Sequence, residues 1–308
     1  MRWSRIMAVL AVLAVAAGGL FYLFTMPKLA VTGRLPARTA NLANGEAMFN
    51  AGGCASCHAT PKQEDSRRLS GGLVLATPFG RFHAPNLSPD AAHGIGAWSE
   101  EAFVNAMLRG VGRNGEHLYP AFPYTSYQRM TLADVRDLFA FLRTLPADAT
   151  PSQPHELPFP FNLRRGLGLW KWLYLDGQMF VPAAGRTQLI NRGAYLVEGP
   201  GHCAECHSSR DLFGGIIPAR RFAGGADPEG KGWVPNITPG ENGLASWSEK
   251  DIAYLLETGT TPDYDSVGSS MADVVINTGK LPASDRDAMA AYVKSLPPRA
   301  GKAPAKKP

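Results

Sequence analysis

Cysteine is scarce in this sequence, since 308 residues contain only four. The four fall into two runs of the form Cys-x-x-Cys-His, at residues 54–58 and 203–207. No cysteine remains outside these runs, so the chain has none for a disulfide framework of the kind that staples small secreted domains. The two runs therefore need another explanation.

Charged residues are also few, at 19% of the chain, whereas 45% of the residues are hydrophobic. This balance is typical of a chain that folds, and the length suggests about two domains. The formal net charge is +5, but Arg2 and Arg5 precede an apolar segment, and Lys302, Lys306 and Lys307 lie in the carboxyl-terminal tail. The sequence between them is close to neutral. It lacks the clustered basic face that nucleic-acid binding requires, so we expect no nucleic-acid partner.

In c-type cytochromes a Cys-x-x-Cys-His run binds haem, because the thiols add to the vinyl groups and the histidine binds the iron. A zinc ribbon is one alternative, but its cysteine pairs are normally about 15–20 residues apart, and here they are 149 apart. A redox dithiol is another, but it does not need a histidine after each pair. We therefore expect two covalently bound haem c groups. The residues expected to bind them are Cys54, Cys57 and His58 in the first run and Cys203, Cys206 and His207 in the second.

Matching residues recur along the chain at a nearly constant offset, which is the signature of an internal repeat. Trp98 and Trp247 are 149 residues apart, and Asn86 and Asn236 are 150 apart. One domain is therefore present twice, at about 41–147 and 187–297. Each copy is predicted to be a small helical haem domain, with capping residues and prolines that delimit its helices. The helices are expected near 45–50, 99–110 and 131–145 in the first copy and near 191–198, 248–259 and 284–296 in the second.

A methionine thioether is a frequent ligand on the other face of a c-type haem iron. Met271 lies in what reads as a polar, glycine-rich loop of the second copy, where a lone packing methionine would be unusual. We expect it to bind the second iron. It follows Trp247 by 24 residues, and the same count from Trp98 reaches Phe122, which cannot bind iron.

The first iron must therefore find another ligand or keep an open position. Met130, His117 and Met107 are the candidates, and Met130 is the residue we select. Met130 aligns with Leu281, and Met107 falls within a predicted helix, so apolar packing is a competing explanation for both. The ligand of the first iron stays open at this point.

Residues 6–24 carry no charge and are almost wholly apolar, and two arginines precede them. About 20 such residues can span a bilayer, and the arginines favour a cytoplasmic amino end. We expect residues 1–26 to anchor the chain in the bacterial inner membrane, with the haem domains in the periplasm. A cleaved signal peptide is the alternative, since residues 14–16 offer small side chains at a cleavage site. The predicted fold class is mainly α, with two tandem class I cytochrome c domains behind an N-terminal transmembrane helix.

The segment between the copies, 148–186, is rich in proline and aromatic residues. A flexible spacer would not have this composition. Its aromatic side chains either cover the seam between the two haem domains or contact a partner subunit or the membrane surface. Beyond the second copy, residues 298–308 form a basic tail.

Several stretches resemble the cytochrome c subunits of bacterial membrane-bound dehydrogenases that oxidise alcohols, gluconate, sorbitol, fructose, aldehydes or nicotinate. They are Asn86-Leu-Ser-Pro-Asp, Gly94-Ile-Gly-Ala-Trp-Ser-Glu-Glu, Gly115-Glu-His-Leu-Tyr-Pro-Ala-Phe-Pro-Tyr, Leu157-Pro-Phe-Pro-Phe-Asn-Leu-Arg and Asn191-Arg-Gly-Ala-Tyr-Leu-Val-Glu-Gly. The resemblance covers about 41–297. It implies the same thioether cysteines and iron-binding histidines, and Met271 as a distal ligand. The chain departs from the family in having two haem domains instead of three, and in having Phe122 where many members have methionine.

We therefore expect an electron-transfer subunit rather than an enzyme. It would take electrons from the catalytic subunit of a periplasmic dehydrogenase and pass them to the respiratory chain through an oxidase, a quinone or a soluble cytochrome. A dihaem enzyme such as a peroxidase is the alternative, supported by the ligand missing at Phe122, but the sequence shows no convincing distal acid or base. A redox sensor would need an output domain, for which there is no sequence signal.

Overall fold

A computed structural model describes residues 2–63, 65–228 and 232–301 of the chain. Its regular structure is mostly helical, which confirms the mainly α fold. The first helix, α1 (Arg2–Phe24), is apolar along its length and has no buried residue. Within the described ranges it is the one helix long and apolar enough to cross a membrane.

The first copy of the repeat is built from short helices and a hairpin. The helices are α2 (Leu42–Ala51), α3 (Cys54–His58), α4 (Glu100–Arg109), α5 (Tyr124–Tyr127) and α6 (Leu132–Leu142). The antiparallel strands β1 (Val74–Thr77) and β2 (Gly80–His83) pair with Thr77 opposite Gly80. A 3-10 turn at Arg164–Gly166 then leads into α7 (Leu167–Tyr174), so the segment predicted as a linker contains a helix.

The second copy repeats the same order of elements. It contains α8 (Gln188–Glu198), 3-10 turns at Cys203–Glu205 and Pro218–Arg220, β3 (Gly225–Ala226), β4 (Trp233–Val234), α9 (Glu249–Thr258), α10 (Ser270–Thr278) and α11 (Ala283–Lys294). Strand β3 pairs with β4 in antiparallel fashion.

The predicted helix ends of α4 and α9 are confirmed. Ser99 Oγ accepts from Ala102 N at 3.1 Å, and Ser248 Oγ accepts from Asp251 N at 3.1 Å, so each serine satisfies a free amide at its helix start. Both helices end at a glycine in the left-handed region, where a Cβ would be strained.

Each copy closes by crossing its first helix over its last, α2 on α6 and α8 on α11. A glycine lies at each crossing. A Cβ on Gly45 would lie 2.7 Å from Phe141 Cβ, and a Cβ on Gly193 would lie 2.8 Å from Tyr292 Cβ. Only glycine allows these helix backbones to approach so closely.

Buried apolar side chains of the two copies form one continuous cluster. Tyr195 on α8 shows how the copies meet: its hydroxyl accepts from Thr131 N at 3.2 Å and donates to Asp134, both in the first copy. The ring of Phe180, from the segment between the copies, packs 5.6 Å from Tyr195. The two copies are thus packed together as one body.

Two local expectations change. Met271 lies in the first turn of α10 and not in a loop, because Met271 and the buried Val275 form an apolar stripe, and Asp273 favours the helix start. The tail predicted at 298–308 begins within the fold, since Asn236 Nδ2 donates to Arg299 O at 2.8 Å. Its lysines 302, 306 and 307 lie outside the described residues.

Candidate haem sites

The first Cys-x-x-Cys-His run forms the short helix α3. Gly53, in the left-handed conformation, turns the chain from α2 into this helix. His58 Nδ1 donates to Pro85 O at 2.8 Å, which fixes the ring and leaves Nε2 as its free lone pair. Pro85 is held by its neighbour Asn86, whose Nδ2 donates to Asp148 O at 2.8 Å.

The second run has the same construction. His207 Nδ1 donates to Pro235 O at 2.8 Å, and the next residue, Asn236, is buried and hydrogen-bonded to Arg299 O. The Pro-Asn pair that recurs 150 residues apart therefore has a physical role, because it orients a histidine in each copy. The repeated Asn is visible in the sequence, but the role of the prolines as acceptors for the histidines depends on the fold.

The donor set fits a haem c at both sites. Burial lowers the pKa of His58 and of His207, so both imidazoles are neutral and able to bind iron at neutral pH. Burial raises the pKa of Cys54 and of Cys203 to about 12, so these thiols are protonated. No disulfide joins the cysteines, all of which are described.

A zinc ribbon does not fit this geometry. Over the described part of the chain, no group of three or more histidine, cysteine, aspartate or glutamate side chains is arranged to hold a metal ion. The two cysteine pairs therefore do not converge on a shared tetrahedral site.

The candidate distal ligands occupy different environments. Met271 is partly buried and packs on the core from α10, whereas Met130 is 1% exposed just ahead of α6. Met107 is buried within α4. Phe122 lies 5.4 Å from the ring of Tyr127, measured between ring centroids. His117 donates from Nε2 to Thr25 O at 2.8 Å, which ties its ring to the end of α1.

The two Cys-x-x-Cys-His segments lie next to one another. Asn277 Nδ2 on α10 donates to Ser56 Oγ, inside the first Cys-x-x-Cys-His run, at 2.9 Å. His202, directly before the second run, donates from Nε2 to Gly52 O, just ahead of the first, at 3.3 Å. These bonds join residues that are 221 and 150 positions apart, and the sequence carries no local signal for them.

Glu205, within the second run, also contacts the first copy. Its Oε1 accepts from Thr125 Oγ1 at 2.8 Å and from Ser126 Oγ at 2.9 Å, both on α5 of the first copy. Burial alone would raise the pKa of Glu205, but Arg210 and the two hydroxyls lower it below its usual value. The carboxylate is therefore charged and binds the two copies together.

A mainly helical fold with histidine-bearing Cys-x-x-Cys-His segments defines a c-type cytochrome. The cytochrome c family profile matches residues 42–146. The chain is 49% identical to the "Diheme cytochrome c-type" protein of Cereibacter sphaeroides over 261 residues, which cover 84% of this chain and 87% of that protein. The chain belongs to the c-type cytochrome family.

Other relatives are named as subunits of dehydrogenases. The chain is 35% identical to the "Fructose dehydrogenase cytochrome subunit" of Gluconobacter japonicus, over 84% of this chain and 53% of that protein. It is 34% identical to the "Gluconate 2-dehydrogenase cytochrome c subunit" of Pantoea cypripedii, over 84% of this chain and 60% of that one. The chain thus spans little more than half of these two relatives.

Family membership confirms the predicted resemblance and covalently bound haem c as the cofactor. As a c-type cytochrome, the chain is an electron-transfer protein and not a catalytic subunit, as predicted.

Proposed function

We propose that this chain is a membrane-anchored dihaem cytochrome c of the bacterial inner membrane. It receives electrons from the catalytic subunit of a periplasmic dehydrogenase and passes them to the respiratory chain, through an oxidase, a quinone or a soluble cytochrome. The relatives named as dehydrogenase cytochrome subunits support the first step. The relative named as a dihaem protein supports two haems.

Each copy supplies the residues for one haem c, which brings one-electron redox chemistry when bound. Cys54 and Cys57 form the thioethers of the first site, with His58 as the iron ligand. Cys203, Cys206 and His207 do the same in the second. Pro85 O and Pro235 O hold the two imidazoles in one orientation, with Nε2 free.

We assign Met271 as the distal ligand of the second site and Met130 as that of the first. Both are thioethers held by packing, which would raise the potential of the iron that they bind. Met130 is fixed more tightly, because it is buried where α6 begins.

The proposal rests on the hydrogen bonds between the regions around the two Cys-x-x-Cys-His segments. Ser56, Gly52 and α5 of the first copy are hydrogen-bonded to Asn277, His202 and Glu205 of the second. These bonds hold the two Cys-x-x-Cys-His segments side by side. That arrangement suits transfer of single electrons through the chain.

The end of α1 is built into the fold. Thr25, the residue after α1, is fully buried. Its hydroxyl accepts from Arg165 Nε at 2.9 Å, and its carbonyl accepts from His117. A cut at residues 14–16 would leave these contacts in place, so we infer retention from the 23-residue length of α1, which exceeds that of a usual signal-peptide core.

The haem count tests the proposal directly. Mass spectrometry of the denatured full chain should show two haem additions. The double variants Cys54→Ser with Cys57→Ser, and Cys203→Ser with Cys206→Ser, should each keep one. A single addition in the unaltered chain would contradict the dihaem assignment.

The proposed electron donor, a periplasmic dehydrogenase, is tested in native membranes that contain the unaltered chain. Fructose, gluconate, alcohols and nicotinate are added one at a time, and reduction of the cytochrome α band is followed. We expect one class of substrate to reduce both haems, and no reduction by any dehydrogenase substrate would contradict the proposed donor.

A further inference from the structure

Helix α7 buries its charged residue and exposes apolar ones, which is the reverse of an ordinary surface helix. Its inward face contains Gly168 and its one charged residue, Lys171, both of which are buried. Its outward face contains Leu169, Trp172 and Leu173, which are 48%, 57% and 68% exposed. A helix on a water-facing surface places these side chains the other way round.

The inward face explains why Lys171 is buried. Its ammonium donates to Arg109 O and to Gly110 O, each at 2.7 Å, and so satisfies carbonyls at the end of α4. Gly168 lies against Thr25, since a Cβ there would be 2.6 Å from Thr25 Cα. The fold therefore fixes α7 through its inward face and leaves the apolar face outside.

The apolar face continues onto α1. The ring of Trp172 lies edge-on to Phe24, with 5.5 Å between centroids. Arg165, directly ahead of α7, donates to Tyr22 O at 2.7 Å and places its guanidinium 4.3 Å from the Tyr22 ring centroid. These contacts set α7 at the level of the last turn of the membrane-spanning helix.

Cationic side chains lie along the edge of this apolar face. The ammonium of Lys28 lies 4.8 Å from the ring centroid of Trp172, and Arg165 lies in the 3-10 turn that leads into α7. Tryptophan and tyrosine concentrate at the boundary between lipid and water, where Lys and Arg reach the headgroups. The combination matches the chemistry of a phospholipid surface.

We propose that α7 is an interfacial helix, with Leu169, Trp172 and Leu173 inserted into the periplasmic surface of the bilayer that α1 crosses. This rests on the proposed retention of α1 as an anchor. The lipid surface is the occupant that the structure favours, because the face is continuous with α1. A partner subunit on the same face is the competing outcome.

Lipid insertion of α7 would also orient the second copy. Trp170 Nε1 donates to Phe213 O at 2.9 Å, and Tyr174 donates to Asp211 Oδ2 at 2.7 Å. Phe213 is itself exposed beside α7. The helix therefore ties both copies to one membrane surface and fixes how the two haem sites lie relative to it.

Photocrosslinking in native membranes tests the proposal on the full chain. p-Benzoylphenylalanine is placed at position 173, and separately at 169, in place of the exposed leucines. The control position is 264, because Tyr264 is 92% exposed on the second copy. After irradiation, mass spectrometry identifies phospholipid and protein adducts.

We expect phospholipid adducts at 173 and 169 in about ten-fold excess over 264, as burial of an apolar face in lipid requires. Adducts with another protein at both positions, or phospholipid adducts no more frequent than at 264, would overturn the interfacial helix. The mass of the same samples shows whether residues 2–24 are present. Their loss would refute the anchor, whereas their presence without lipid adducts would refute only the role of α7.

Discussion

The two copies of the repeat share the parts that are proposed to hold a haem, and they differ in what covers those parts. On α4, Asn105 is 6% exposed, because its Oδ1 accepts from Ala30 N at 2.8 Å and from Val31 N at 3.0 Å. Its counterpart on α9, Tyr254, is 54% exposed. The helices of the two copies thus correspond, but in the first copy the outer face of α4 binds the amino-terminal segment at Ala30 and Val31.

The distal sides differ as well. The first copy has the four-residue α5 and Phe122, where the second has the nine-residue α10 and Met271. Met130 and its counterpart Leu281 are both buried. The copies therefore offer the same proximal histidine geometry with different distal residues, which predicts two unequal redox sites.

The largest effect is expected where the first helix of each copy crosses the last, α2 on α6 and α8 on α11. Gly45→Ala and Gly193→Ala each put a methyl group into a facing helix, against Phe141 and Tyr292. We expect each to lower the free energy of unfolding by about 1–3 kcal/mol or more, as overpacking does. Denaturant unfolding followed by circular dichroism measures the effect.

Gly166→Ala is the matched control, because nothing lies within 4 Å of a Cβ at Gly166. Its free energy of unfolding should stay close to that of the unaltered chain. If Gly193→Ala behaved like Gly166→Ala while Gly45→Ala did not, the two copies would not share one crossing geometry.

The predicted inequality of the two sites is tested with thioether-to-alkyl changes. Met271→Leu and Met130→Leu keep the apolar volume and remove the sulfur. Each should abolish one methionine-to-iron charge-transfer band and lower one potential, within the roughly 0.8 V that axial ligands control. Spectra and redox titrations of the full chain measure both.

Met179→Leu is the control, since Met179 is exposed in the segment between the copies. A spectrum unchanged by Met130→Leu would show that Met130 only packs in the core. Two bands that both survive Met271→Leu would remove Met271 as a ligand.

Local signals predicted much of this architecture. Ser99 and Gly110 delimit α4 as expected, because capping depends on neighbouring residues. The bond between Ser56 and Asn277 could not be predicted, since it joins residues 221 positions apart. The Pro85 contact of His58 is equally non-local, although the repeated Pro-Asn pair hinted at it. The glycine and serine ahead of Met271 predict a loop, but its packing on the core outweighs that signal.

The sequence leaves the role of α7 open for a similar reason. Its composition indicated an aromatic surface, but not which residues face outward. That depends on Lys171 reaching the end of α4 and on Thr25 filling the space beside Gly168, both of which are tertiary contacts.

A smaller difference between the copies lies at His117. It pairs in a β-bridge with Val111, and the equivalent bridge of the second copy joins Thr260 to Ser266, so Ser266 takes the place of His117. Within the described residues, His117 Nδ1 has no hydrogen-bond partner. Burial lowers the pKa of His117, and the charges of Lys171, Arg165 and Arg164 lower it further, against the effect of the bond to Thr25 O.

His117 therefore makes the junction between α1 and the first copy sensitive to acid. Between its lowered pKa and about 6.5, the unfolded chain binds more protons at this residue than the folded chain, so the free energy of unfolding falls as the pH drops below about 6.5. The slope is at most about 1.4 kcal/mol per pH unit. Burial lowers the pKa of Lys171 to about 7, so the contribution of Lys171 to the free energy of unfolding rises with pH above 7 and does not change below it.

The variant His117→Gln keeps a donor for Thr25 O and removes the titration of residue 117. We expect urea unfolding of the full chain in detergent to show a shallower acid slope in this variant, with the slope above pH 7 unchanged. Equal acid slopes in the two proteins would show that His117 is not held neutral in the folded state.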